Sequence, residues 1–168
     1  GEGDLDPDDG PDPSSLSVGS VVGKFGDVDF SGFGIGTISD FNQNGLLSIV
    51  ASSLQNSEAL ETFTLSITYP GGSTLTTGTY EDSNGDCLLA SLGTVTSVCP
   101  SVIFSKLSDA DELIVSTADS GSRLNLMITS IQAQTTGGSV RGNFSGIAVD
   151  TEGNTVEIKD GAFNVAIN

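Results

Sequence analysis

Two thiols and three clusters of oxygen ligands are the residues whose types and spacing could do chemistry. Cys87 and Cys99 are the only cysteines in the chain. The residues between them read as strand or hairpin. In an exported protein such a pair reads first as a disulfide. A redox pair is more often C-x-x-C, and zinc would need two further ligands that neither His nor Cys supplies. Closing a loop of this size would stabilise the fold by about 3 kcal/mol in the chain-entropy model. Asp82, Asn84 and Asp86 stand at i, i+2 and i+4 around Gly85. That resembles the opening of a calcium loop, but no Glu follows where an EF-hand needs its bidentate ligand. Asp109 and Asp111 with Glu112 form a second cluster, and Asp150 and Glu152 with Asn154 a third. Asp4, Asp6 and Asp8 near the start could bind the same ion weakly. Against all of these stands the fact that Asp, Asn and Gly are what turns require. The expectation is no cofactor, with Ca²⁺ as the one candidate.

The chain has no histidine. This removes the usual general base, the Ser-His and Cys-His nucleophile pairs and imidazole metal sites together. Spacing alone leaves paired-carboxylate chemistry open. Such enzymes usually need a larger cleft than a small sandwich provides, and the acids here sit in turn contexts. The expectation is that this is not an enzyme. With no Trp and only Tyr69 and Tyr80, the flat platforms typical of sugar binding are scarce. Asn143-Phe-Ser145 is an N-x-S sequon that matters only in a host that glycosylates, and Phe144 reads as core.

Those residues need a scaffold, and composition bounds it. A length of 168 residues suits one domain with a sizeable core. The formal net charge is −17, from 22 acids and five bases. Such a surface repels nucleic acid and anionic membranes and suits salty or extracellular surroundings. No apolar run approaches the roughly 18 residues needed to span a bilayer. Residues 1–13 hold six acids and three prolines and read as a disordered tether; residues 14–168 read as a single β-domain. Without this tether 16 acids still face five bases. An acidic opening with no initiator Met reads as that of a processed product.

From Ser14 the pattern is one of short β-prone runs. Ser20–Phe25 and Asp27–Phe30 read as strands joined at Gly26. In 32–38, Phe33, Ile35 and Thr37 alternate with Gly34, Gly36 and Ile38, and glycine on one face predicts close approach of another backbone or a bend. Asn42–Gly45 is a turn, and Leu46–Ala51 a strand. Gln55–Leu60 is the one stretch suited to a helical turn. Thr62–Tyr69 alternates most cleanly, with Phe63, Leu65, Ile67 and Tyr69 on one face. Further strands are expected at 78–80, 88–98, 102–107 and 113–117. All five prolines fall outside the interiors of these expected strands. From Arg123 onward an antiparallel meander is expected, with turns at Gly137-Gly138, at 150–154 and at Asp160-Gly161, the last a strong hairpin signal. The predicted fold is all-β: an antiparallel β-sandwich or flattened barrel of about ten short strands.

The runs Val140-Arg-Gly-Asn-Phe-Ser-Gly146, Glu152-Gly-Asn-Thr-Val-Glu-Ile158 and Asp160-Gly-Ala-Phe-Asn-Val165 resemble the ending of a family of Bacteroidetes surface lipoproteins. Those end in a meander of the form G-x-F-S-G … D/E-G-x-x-V-x-I-x-D/N-G-x-F-x-V. Leu65-Ser-Ile67 followed by Gly78-Thr-Tyr80 is similar to that family too. The likeness covers the last 45 or so residues best. It implies a surface location and a lipid anchor on a cysteine ahead of Gly1, which the sequence itself does not contain. The family carries no established activity.

The leading expectation is therefore a non-catalytic extracellular or outer-surface β-domain that binds a protein partner or itself. The alternative is a structural subunit of a filament or surface layer, assembled by strand addition. In that alternative Ser20, Val21, Val22 and Phe25 would complete a neighbour's sheet.

Overall fold

The computed structural model describes residues 10–55, 59–87, 93–108, 112–132 and 137–168. Ten strands carry the fold: β1 Ser20–Phe25, β2 Val28–Phe41, β3 Asn44–Gln55, β4 Ala59–Tyr69, β5 Gly78–Ser83, β6 Cys99–Ser108, β7 Glu112–Ser116, β8 Arg123–Gln132, β9 Ser139–Asp150 and β10 Thr155–Ala166. All ladders between them are antiparallel. Hydrogen bonding runs β10-β1-β2-β3-β4-β6-β7-β9, and β9 pairs back to β10, so the sheet closes into a barrel. β9 gives β10 one edge. Its other edge is taken by β8 from Ser139 to Ile147 and by β7 at Val149 and Asp150. β5 flanks β8.

Turn chemistry explains the connections. β2 and β3 pair up to Phe41 and Asn44, leaving Asn42 and Gln43 as a two-residue turn with φ of 50° and 67°. Two positive φ values are what a type I′ hairpin requires, and Asn tolerates them. The glycine face of β2 meets its expected neighbour. Gly36 bridges Ile167 in parallel, and Asn168 N–H donates to Gly36 O at 3.0 Å. A Cβ at Gly36 would stand 3.2 Å from the Ile167 side chain.

The barrel is filled, not hollow. Phe25, Phe63, Phe104, Phe144 and Phe163 are fully buried, with Leu47, Ile49, Leu65, Ile67, Leu124 and Leu126 among them. Phe25 and Phe104 stack with centroids 4.0 Å apart, and Phe63 and Phe144 lie 5.1 Å apart. Small barrels fill their interiors with side chains in this way.

Five expectations are corrected. Asp160-Gly161 is not a turn: β10 runs straight through it as a bulge. Asp160 has φ 54°, and the register against both β1 and β9 slips by one residue there. Two flanking ladders outweigh the local hairpin signal, and the bulge absorbs the left-handed residue. The two runs expected at 27–30 and 32–38 merge into the single strand β2 from Val28, with Asp27 left in the turn before it. In the stretch proposed for a helical turn, Gln55, Ala59 and Leu60 belong to the β3–β4 ladder; 56–58 lie outside the described residues. Of the strand expected over 88–98, residues 93–98 are irregular, and 88–92 lie outside the described residues. Pro100 falls inside β6 as its second residue, at a point where β6 has a ladder with β4 alone among the described strands, so no donor is missed.

The start of the described chain is ordered against the barrel. Pro13–Ser15 form a 3-10 turn capped by Asp12, whose Oδ1 accepts from Ser14 N–H at 2.9 Å and Ser14 Oγ at 2.8 Å. Those bonds, the side-chain one first, lower the Asp12 pKa. Pro13 is buried, Asn143 Nδ2 donates to Pro11 O at 2.7 Å, and Asn164 Nδ2 to Leu16 O at 2.8 Å. This arm covers the outer face of β9 and β10, so both faces of that part of the sheet are buried.

Candidate functional site

Cys87 and Cys99 form a disulfide with Cα atoms 5.2 Å apart. It ties the exit of β5 to the first residue of β6. No ladder joins those two strands, so the bond crosses the seam where the wall passes from β6 and β7 to β8 and β9.

The oxygen clusters build turns around that seam. Asp82 is 7% exposed; its Oδ1 accepts from Cys87 N–H at 3.1 Å, and its Oδ2 is buried without a hydrogen-bond partner. Burial raises the Asp82 pKa, with the Cys87 and Ser83 amides pulling it back and the Asp86 charge adding to the rise. Asn84, at φ 60°, accepts from Gly121 N–H at 2.8 Å, while its own N–H donates to Ser122 O at 2.9 Å. Asp86 is exposed and, with Cys87, helical just after the turn at Asn84 and Gly85. Asp150 Oδ1 accepts from Glu152 and Asn154 N–H, both at 2.9 Å, and Glu152 is exposed. Asp109 and Asp111 lie outside the described residues. Among the described residues no three acidic, Cys or His side chains converge as a metal site.

Ser20, Val21, Val22 and Phe25 are all in β1, which is paired on one edge to β10 and on the other to β2. Val21 and Phe25 are fully buried. These residues complete the chain's own barrel and have no edge to lend. Asn143, the sequon residue, is 3% exposed and bonded to the arm.

Cavities open on the surface at two places that bear on the site. One, of about 270 Å³, lies at a barrel end among Ile38, Leu47, Tyr69, Thr74, Leu75 and Ile131. Burial, then the Asp40 charge, raises the Tyr69 pKa. The other, of about 210 Å³, is lined by Phe41, Leu46, Pro100, Ile103 and the Cys87–Cys99 disulfide, with Ser66 and Ser101. Among the described residues neither is lined by an acidic or basic side chain or a free thiol.

The second cavity belongs to a larger surface. The outward positions of β2 from Ser31 to Phe41, of β3 from Asn44 to Ser52, of β4 from Leu60 to Thr68 and of β6 from Cys99 to Leu107 carry no charged side chain. They are Ser, Thr, Asn, Cys and large apolar groups. Phe33 is 76% exposed, and Ile35, Phe41, Val50, Leu60, Ile103 and Leu107 are each 39–49% exposed. The charges on these strands sit elsewhere: Glu61 faces inward opposite Lys106 near a barrel end, where burial raises its pKa and Lys106 lowers it. Alternation showed that these strands have two faces; the signal that marks the outer one is its lack of charge in so acidic a chain.

Among the described residues no helix is long and apolar enough to cross a membrane. Comparison with family models, with curated proteins and with solved structures finds no match to this chain.

Proposed function

We propose that this chain is a non-catalytic, exported β-barrel domain that works by binding, and that the outer face of β2, β3, β4 and β6 is the surface it binds with. One observation carries the reading: a chain of net charge −17 keeps its charges off one broad sheet face and exposes Phe33 there. Contiguous exposed apolar surface of this kind marks interaction sites. The disulfide supports an oxidising, extracellular setting. The resemblance to surface lipoproteins supports a cell-surface location and an anchor upstream of Gly1. A missing histidine, and two cavities whose described lining residues include no carboxylate or basic side chain, support binding over catalysis.

Retention on a phenyl matrix tests the face. Phe33→Glu and Val50→Glu should elute well before wild type with unchanged melting temperature. Thr155→Glu, which adds the same charge at an exposed position away from the face, should not. If all three variants elute together, the outer face is not the binding surface.

A further inference from the structure

We infer that the occupant of this face is a second copy of the same chain, joined by a two-fold, face-to-face contact in which Phe33 of each copy enters the other's cavity beside the disulfide. The inference rests on the binding face proposed above and names its partner.

Three observations lead there. The first is shape. Phe33, the most exposed large apolar side chain among the described residues, and an apolar cavity of about 210 Å³ lie on the same face. Phe33 lies towards one end of that face and Phe41, part of the cavity wall, at the other, eight residues along β2. A two-fold axis in the plane of the contact, midway between knob and cavity, brings each Phe33 over the partner's cavity. That is the self-complementarity an isologous interface needs. Phe33 is also held in place as a knob: its ring packs against the backbone of Gly19, which has φ +98° and no room for a Cβ.

The second is charge. Two bodies at −17 repel, and any contact made through an ordinary part of this surface would set carboxylates against carboxylates. The outward residues of β2, β3, β4 and β6 are where two copies can meet without doing so. A strongly acidic partner is excluded for the rest of the surface by the same argument, while a basic partner would find no charge on this face to pair with.

The third is size. Four strands about 4.8 Å apart, with nine residues rising about 3.4 Å each, give a face of roughly 20 by 30 Å. The roughly 600 Å² of plan area, larger as rough molecular surface, approaches the roughly 800 Å² per partner of a standard stable interface. Its Ser and Thr hydroxyls, such as the Thr62–Ser105 pair at 2.6 Å, already bond across strands and cost little to cover.

Sedimentation velocity of the full chain, from about 1 to about 500 µM, tests this, with salt varied from about 0.05 to about 0.5 M. A concentration-dependent dimer that tightens with salt is expected, because screening relieves like-charge repulsion. Phe33→Glu and Ser101→Arg should each weaken it about thirtyfold or more, as loss of a buried aromatic anchor does. Mixed together, the two variants should associate again: the new Glu meets the new Arg in one cavity, and the untouched Phe33 meets the untouched cavity in the other. A monomer at every concentration overturns the inference, as does a dimer that weakens with salt or ignores both variants. Failure of the mixture to associate while wild type dimerises overturns the knob-and-cavity pairing. A monomer whose phenyl retention still depends on Phe33 leaves the binding face standing with a different occupant. If that monomer also binds neutral phosphatidylcholine vesicles through Phe33, the occupant is a lipid surface.

Discussion

From β10 through β1, β2, β3 and β4 to β6, each strand is joined to the next by a run of five to eleven paired residues. Across the seam, β7 meets β9 through two paired residues, and β5 has no ladder to β6. There the wall is held by other means. Thr117 Oγ1 accepts from Val102 N–H at 2.9 Å, Ser122 Oγ donates to Thr117 O at 2.6 Å, Asn84 pins Gly121, and the disulfide spans the gap. The ladder side spends many weak, repeated contacts; the seam relies on a few single residues. A barrel of alternating strands is therefore robust along its wall and sensitive at its point of closure.

The largest expected effect lies where both sides share one interior. Phe104 is fully buried, stacks on Phe25 and packs edge-on to Phe30. Phe104→Ala should cost about 3–5 kcal/mol by urea unfolding. A loss below about 1 kcal/mol would mean that the aromatic interior does not hold the two sides together.

Replacing Cys87 and Cys99 by Ser separates the two sides. The pair closes a loop of sequence separation 12, and its removal should cost about 3 kcal/mol in the chain-entropy model. The loss should be local. Amide exchange should quicken at position 87, Val102 and Gly121 while Ile49, Leu65 and Phe63 stay protected. Equal quickening on both sides would show that the seam and the ladders open as one unit, which breaks the comparison.

The same division decides what the sequence makes legible. Period-2 runs such as Thr62–Tyr69 and the meander from Arg123 announce ladders, because burying one face of a strand demands that spacing. The glycines of β2 announce a close backbone, and Ile167 is it. Asp160-Gly161 misleads because a left-handed Asp serves a bulge as well as a turn, and only the neighbouring strands choose between them. Asp82, Asn84 and Asp150 look like ligand sets for a related reason: oxygen atoms that bond backbone N–H groups in turns have the spacing of those that bind cations. The burial of Asn143 and Asn164 is not legible at all, since it depends on an arm more than a hundred residues away in sequence. The binding face falls between. Its lack of charge is visible residue by residue, but strand order is needed to see that β2, β3, β4 and β6 lie side by side.

The smallest effect sharpens the comparison at one carboxylate. Burial raises the Asp82 pKa in the fold above the roughly 3.9 of an unfolded Asp. The native state therefore binds the proton more tightly, and stability falls as pH rises from the unfolded value through the folded one, the penalty then persisting to neutrality. Asp82→Asn keeps an oxygen for Cys87 N–H and removes the charge. Its melting temperature should match or exceed wild type at pH 7, and the decline above about pH 4 should flatten. Thermal melts of both proteins from pH 3 to pH 8 read this directly. A variant less stable than wild type at pH 7 would mean that the ionised Oδ2 has a favourable partner at the seam. If millimolar Ca²⁺ then stabilised wild type and left Asp82→Asn unmoved, that partner would be a cation, and the seam would be closed by an ion as well as by sulfur.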